Sequence, residues 1–306
     1  MPHGAEAWSM LGALLVTGAI YARGWRILAR RAPQRFGEGR LAAFLGGLGV
    51  IAFALASPLD ALAGRRLSAH MTQHQLLLML APPLLWLGAP VAPMLLGLPR
   101  AIRRPVAAGL ASRVGRTTAD VIAHPAFGWI SFVVAFWAWH TPRLYELALR
   151  SHAWHHLEHA CFFATAMVFW RPVILAWPAR SPWPRWTMIP YLLLADLQNT
   201  VLAAILTFSD RVIYPAYATI PGAGAISALD DQSMAGVIMW VPGSLVFLFT
   251  AVWLVMQALN APRALPVIAG AGPHDSRCGL CAERATALGG QRGDDVRSSG
   301  RLRLPE

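Results

Sequence analysis

Residues 68–90 read SAHMTQHQLLLMLAPPLLWLGAP, a run without a single Asp, Glu, Lys or Arg. About 20 apolar residues in a helix match the ~30 Å hydrocarbon core of a bilayer. Six further charge-poor runs flank it, at 6–28, 40–57, 121–141, 153–175, 186–208 and 233–258. At membrane depth every backbone polar group must be paired within the protein, which leaves helices or a closed barrel. The period-2 alternation of barrel strands is absent. The sequence therefore predicts an all-α, polytopic membrane protein of seven transmembrane helices over residues 1–262. Residues 263–306, rich in Gly, Arg, Asp and Ser, read as a disordered cytoplasmic tail.

Composition agrees with this reading. Of 306 residues, 56% are hydrophobic and 13% charged, with a mean hydropathy of +0.46. Soluble domains carry about 25% charged residues. A disordered chain, a secreted disulfide scaffold and a soluble nucleic-acid binder are excluded. The net charge of +11 comes from 26 basic residues, all Arg. Sorted by the loops between the runs, 21 of them fall on the side that holds the C-terminus. Cytoplasmic loops are the basic ones, so the N-terminus is expected outside and the C-terminus in the cytoplasm. No basic segment precedes residues 6–28, and Arg23, Arg26, Arg30 and Arg31 lie at and beyond its end, which reads as a retained anchor. Pro82, Pro83, Pro90, Pro93 and Pro99 predict a kink or break late in the third run. Residues 101–118, with Arg between small apolar residues, predict an interfacial amphipathic segment. No internal repeat of the transporter kind is visible.

This orientation sorts the histidines. Eight of ten fall on the outer side or in outer helix ends: His3, His70, His74, His140, His152, His155, His156 and His159. Ionisable groups at membrane depth mark ion pathways, proton relays or ligand sites. His70 and His74 are four residues apart, as are His155 and His159, so each pair shares a helix face. Glu158 lies between the second pair, His140 ends the fourth run, and Asp231 and Met234 open the seventh. Asp60 adds a further outer carboxylate. Imidazole suits Cu, Zn and Fe, and a thioether such as Met71 or Met234 favours Cu(I). The bland readings are equally concrete. His3 and His152 read as solvated interfacial side chains, and His156 points away from the His155/His159 face. The tryptophans read as interfacial anchors. Asp196, with Gln198 and Asn199, needs a partner that spacing does not reveal. Cys278 and Cys281 form a lone CxxC in the tail near His274, weak as a metal signal without a second pair.

Six blocks together resemble the multi-span CtaG-type cytochrome c oxidase assembly factors of bacteria. They are Leu67–Pro90, Ala138–Tyr145 (AWHTPRLY), His155–Phe163 (HHLEHACFF), Phe169–Pro172 (FWRP), Tyr214–Tyr217 (YPAY) and Asp231–Trp240 (DQSMAGVIMW). The blocks run through about residues 57–245. The resemblance implies a seven-helix protein of the bacterial cytoplasmic (inner) membrane that matures copper centres of haem-copper oxidases and is not an enzyme. It implies transient copper, a copper donor protein and haem-copper oxidase subunits as partners, and the lipid bilayer as surroundings. Nucleic acid is not an expected partner. The implied metal residues are His70, His74, His140, His155, Glu158, His159 and Asp231, with Met234 a thioether beside them. Two other classes remain open from the residues. H-x-x-E-H is the signature of an inverted zincin, with Glu158 as general base. Facing imidazoles, His74 with His140 or His159, would hold a haem.

Overall fold

The computed structural model describes residues 3–175, 182–218 and 226–260. Among these the chain is all-helical, without a strand. In chain order the helices are α1 (His3–Arg31), α2 (Glu38–Ala56), α3 (Pro58–Ala63), α4 (Leu67–Gln75), α5 (Ala81–Leu87), α6 (Val91–Gly97) and α7 (Arg100–Ala111). They continue with α8 (Arg113–Ala123), α9 (Pro125–Trp139), α10 (Pro142–Arg150), α11 (His152–Ile174), α12 (Met188–Phe208) and α13 (Ala228–Leu259). The expected tail, with His274, Cys278 and Cys281, lies outside the described residues.

Three helical stretches are long and apolar enough to cross a membrane: Glu38–Ala56, Arg185–Phe208 and Ala228–Leu259. Two bent pairs raise the number to as many as five: Leu67–Leu87 with Val91–Gly97, at 70°, and Arg113–Ala123 with Pro125–Trp139, at 67°. The other two expected runs do form helices, α1 of 29 residues and α11 of 23. Each carries a polar load, arginines towards the end of α1 and imidazoles, Glu158 and Arg171 in α11. The break in the third run falls where its prolines predict it, and Ala89 takes a left-handed φ of 49° there. The amphipathic segment resolves into α7 and α8, neither of which buries a residue. On α7, Ile102, Val106 and Leu110 line one face and Arg100, Arg103 and Arg104 the others.

The distribution of polarity is that of a protein in lipid. Large apolar side chains lie exposed along α12 and α13, Leu193, Leu197, Val201, Phe249 and Trp253 among them. Buried positions include Gln73, Gln75, His140, Glu158, Asn199 and Gln232.

Prolines explain part of this interior polarity. A proline within a helix cannot donate to the carbonyl four residues back, and its ring distorts that turn. Pro82 lies four residues after Leu78, whose carbonyl accepts instead from Trp170 Nε1 at 2.8 Å. Residues 76–80 there form a π-helical turn. Pro172 lies three residues after Phe169, whose carbonyl accepts from the Tyr191 hydroxyl at 2.9 Å. Pro242 lies three residues after Met239, whose carbonyl accepts from Asn199 Nδ2 at 3.0 Å and Gln75 Nε2 at 3.4 Å. A neighbouring helix thus satisfies the freed carbonyl at Pro82, and near Pro172 and Pro242 neighbouring side chains bond the carbonyl next to the open one. Asp196 finds its partner on α13, where the Ser244 hydroxyl donates to it at 2.6 Å. Two glycines set the approach of α1 to α6: a Cβ on Gly24 would overlap the Pro93 carbonyl, and one on Gly97 that of Ile20.

Candidate metal centre

The i, i+4 pair on α4 enters the core, with His70 and His74 1% and 2% exposed. Their Nε2 atoms approach to 2.9 Å. From α11, the same spacing and the intervening acid bring His155, Glu158 and His159 against them. Glu158 is fully buried, with one carboxylate oxygen 3.6 Å from His70 Nε2 and the other 3.7 Å from His74 Nε2. The His155 and His159 rings lie 4.2 Å apart and 5.3 and 6.1 Å from His70. Two groups of ligand atoms each fall within 4.8 Å: His70, His155 and His159, and His70, His74 and Glu158. His70 belongs to both. His140, at the end of α9, lies 6.2 Å ring to ring from His74. Phe162 closes the inner side, 4.7 Å from His74 and 5.8 Å from His140.

The protonation of two of these rings follows from their partners. His140 Nδ1 faces the Phe136 carbonyl at 2.7 Å, and a carbonyl only accepts, so Nδ1 carries the proton and Nε2 a lone pair. His70 Nδ1 lies 3.1 Å from the Tyr217 hydroxyl, which donates its own proton to the Ala63 carbonyl at 3.1 Å. Tyr217 oxygen then accepts from His70 Nδ1–H and from the Tyr145 hydroxyl, 3.2 Å away. His70 is left with its lone pair on Nε2, aimed at His74 and Glu158. Burial pushes the phenols of Tyr145, Tyr214 and Tyr217 up, so each keeps its proton. Tyr214 donates to the His140 carbonyl at 2.8 Å and completes this tyrosine wall.

What remains is a concentration of buried atoms without a hydrogen-bond partner: His74 Nδ1, His140 Nε2, His159 Nε2 and both oxygens of Glu158. Native interiors pair nearly all such groups, and a buried carboxylate among unpartnered imidazoles fits a cation. The donor set, several imidazoles and one carboxylate, suits Cu(II), Zn or Fe, and accommodates Cu(I) at low coordination number.

Two residues expected in this set are elsewhere. Asp231 accepts from the Leu67 backbone N–H at 2.6 Å and from the Ser68 hydroxyl. It caps the N-terminus of α4 from α13, so its charge holds the histidine helix in place. Gln232 beside it accepts from the Ile213 N–H at 2.6 Å and donates to the Arg211 carbonyl at 3.0 Å, pinning the segment that delivers Tyr214 and Tyr217. Met234 is 47% exposed, whereas His70, His74, His140 and His159 are buried, so its thioether lies outside their cluster. Conversely, spacing alone missed Tyr145 and Tyr217, and dismissed His152 and His156. A cavity of about 630 Å³ leads to the cluster, and both of those histidines line it together with His155, His159 and His70.

Residues 19–261 match the cytochrome c oxidase caa3 assembly factor family (Caa3_CtaG). The chain belongs to this family. It is also similar to an uncharacterized protein of Mycobacterium leprae, 27% identical over 269 residues that cover 81% of this chain and 38% of the relative. A similar protein of Mycobacterium bovis is 30% identical over 270 residues, covering 83% and 39%. The chain thus spans under two fifths of the length of the curated relatives it matches. No solved structure matches it.

Proposed function

We propose that this assembly factor holds copper transiently in the imidazole–carboxylate cluster and aids its insertion into haem-copper oxidase subunits, after receiving it from a copper donor protein. The observation that carries the reading is the convergence of five unpartnered buried polar atoms from α4, α9 and α11. Leaving a carboxylate uncompensated in an interior costs several kcal/mol, which a bound cation offsets. The cluster sits at the ends of helices whose opposite loops carry most of the arginines. Seven crossings with the N-terminus outside would therefore present it at the outer face of the bacterial inner membrane. His140 joins the proposed set through its buried, unpartnered Nε2, and His155 and His159 through the group they form with His70.

Metal analysis with an absorption spectrum tests this on purified protein, wild type beside His70→Ala/His74→Ala. Copper in the wild type, lost in the variant, with no haem band, supports it. Wild-type protein that stays copper-free after reconstitution with Cu(I) overturns direct ligation.

One observation favours a second reading. The inverted-zincin pair His155 and His159 gains a third ligand candidate in His70. Its would-be base, Glu158, groups with His70 and His74 instead, and the proposed catalyst would also have to admit a peptide. Zinc in place of copper, with peptide cleavage abolished by Glu158→Gln, would select it. A porphyrin could enter among these rings by displacing them, since they pack on one another and on Phe162.

A further inference from the structure

The imidazoles of this protein are graded by depth. His152 and His156 are exposed, His155 is half-buried, and His159, His70 and His74 are buried. All but His74 line the same cavity of about 630 Å³, which is bounded by the first turns of α1, the ends of α2 and α10 and the start of α11. The exposed pair therefore stands at the mouth, and the floor is the proposed metal cluster. Asp60, which accepts from Gln73 Nε2 at 2.8 Å, places a carboxylate on the same wall and favours a cation in the passage.

The rings also form an unbroken series. His156 lies 6.3 Å from His155, His155 lies 4.2 Å from His159 and 5.3 Å from His70, and His70 lies 4.3 Å from His74. Two imidazoles on one ion have ring centres about 6 Å apart, given metal–nitrogen bonds of about 2.0–2.1 Å. Each neighbouring pair is therefore within reach of one shared ion. An ion can advance by gaining the next imidazole before releasing the last, and never pays the full cost of shedding its ligands in a low-dielectric interior.

We infer that His152, His156 and His155 form an entry relay, through which a soft or borderline cation, Cu(I) by the reading above, passes by stepwise ligand exchange to the buried cluster. The relay rests on that copper reading. His152 and His156 set how fast the ion moves, and the inner group sets how tightly it is held. His155 belongs to both.

The test uses the full-length protein in lipid nanodiscs and the colour loss of a Cu(I)–bicinchoninate complex as copper is withdrawn. Wild type should load to a stable plateau. His152→Ala/His156→Ala, changed at exposed positions, should load and release several-fold more slowly, since an entrance serves both directions. Its plateau should be set by the unaltered inner group. His155→Ala should lose both rate and plateau. A double variant that loads at the wild-type rate overturns the relay while leaving the copper reading intact. A double variant whose plateau falls in proportion to its rate also overturns it, by assigning the outer histidines to the holding site. A wild type that withdraws no copper overturns the copper reading, and the relay falls with it.

Discussion

The middle of this bundle and its histidine end solve opposite problems. In the middle, side-chain donors from neighbouring helices meet backbone carbonyls at or next to the proline breaks: Trp170 on Leu78, Tyr191 on Phe169, Asn199 and Gln75 on Met239. At the histidine end, buried polar atoms stand without partners: ring nitrogens of His74, His140 and His159, and both oxygens of Glu158. The first arrangement is complete as protein and should govern stability. The second is complete once a cation is added and should govern function. Side-chain changes in the two regions should therefore separate into two phenotypes.

The largest effect is expected from His70→Ala/His74→Ala, which removes the one residue common to both ligand groups and a second ligand of the Glu158 group. Copper uptake should fall to background, measured as metal per protein after gel filtration. Glu158→Gln sharpens the point, because losing a buried, uncompensated carboxylate should leave the metal-free protein melting no lower than wild type. A clear drop in its melting temperature would make Glu158 a structural group and blur the contrast. Next in size is Tyr217→Phe, which removes the acceptor that orients His70. Outer-shell partners of ligating histidines contribute about 10–100-fold in metal affinity. Competition with a chromogenic chelator should show such a weakening with unchanged stoichiometry.

In the middle, Trp170→Phe strips the donor from the Leu78 carbonyl and should cost about 1–3 kcal/mol of unfolding free energy. Its copper affinity should stay within error of wild type, and loss of copper binding would break the separation. Asp231→Asn tests the link between the regions, since this carboxylate caps the histidine helix. It should cost about 1 kcal/mol in chemical unfolding, with copper held at wild-type stoichiometry. The smallest effect belongs to Met234→Ala, whose exposed thioether should leave copper binding unchanged.

Helical class, the break near Pro90 and the imidazole pairs were all legible in the sequence, because each is written within one helix. Charge-free length reports a membrane segment, and i, i+4 spacing reports a shared face. Relations between helices were not legible. Asp231 reads the same as a ligand or as a cap until the helix it faces is known. Met234 depends on the rotation of α13. Asp196 found Ser244 forty-eight positions away. Tyr217 arrives from a short irregular segment that has no period to read. His156, set aside on spacing, lines the same cavity as His155 and His159, and that cavity is formed by α1, α2 and α10 as well.

X-ray absorption at the copper edge of the reconstituted full-length protein tests the central claim most directly, because it reads the atoms bound to the metal. The account predicts two or three nitrogen ligands with the multiple-scattering signature of imidazole, lost in His70→Ala/His74→Ala. A copper shell made of sulfur, or one unchanged in that variant, would contradict it and place the metal away from the histidine cluster.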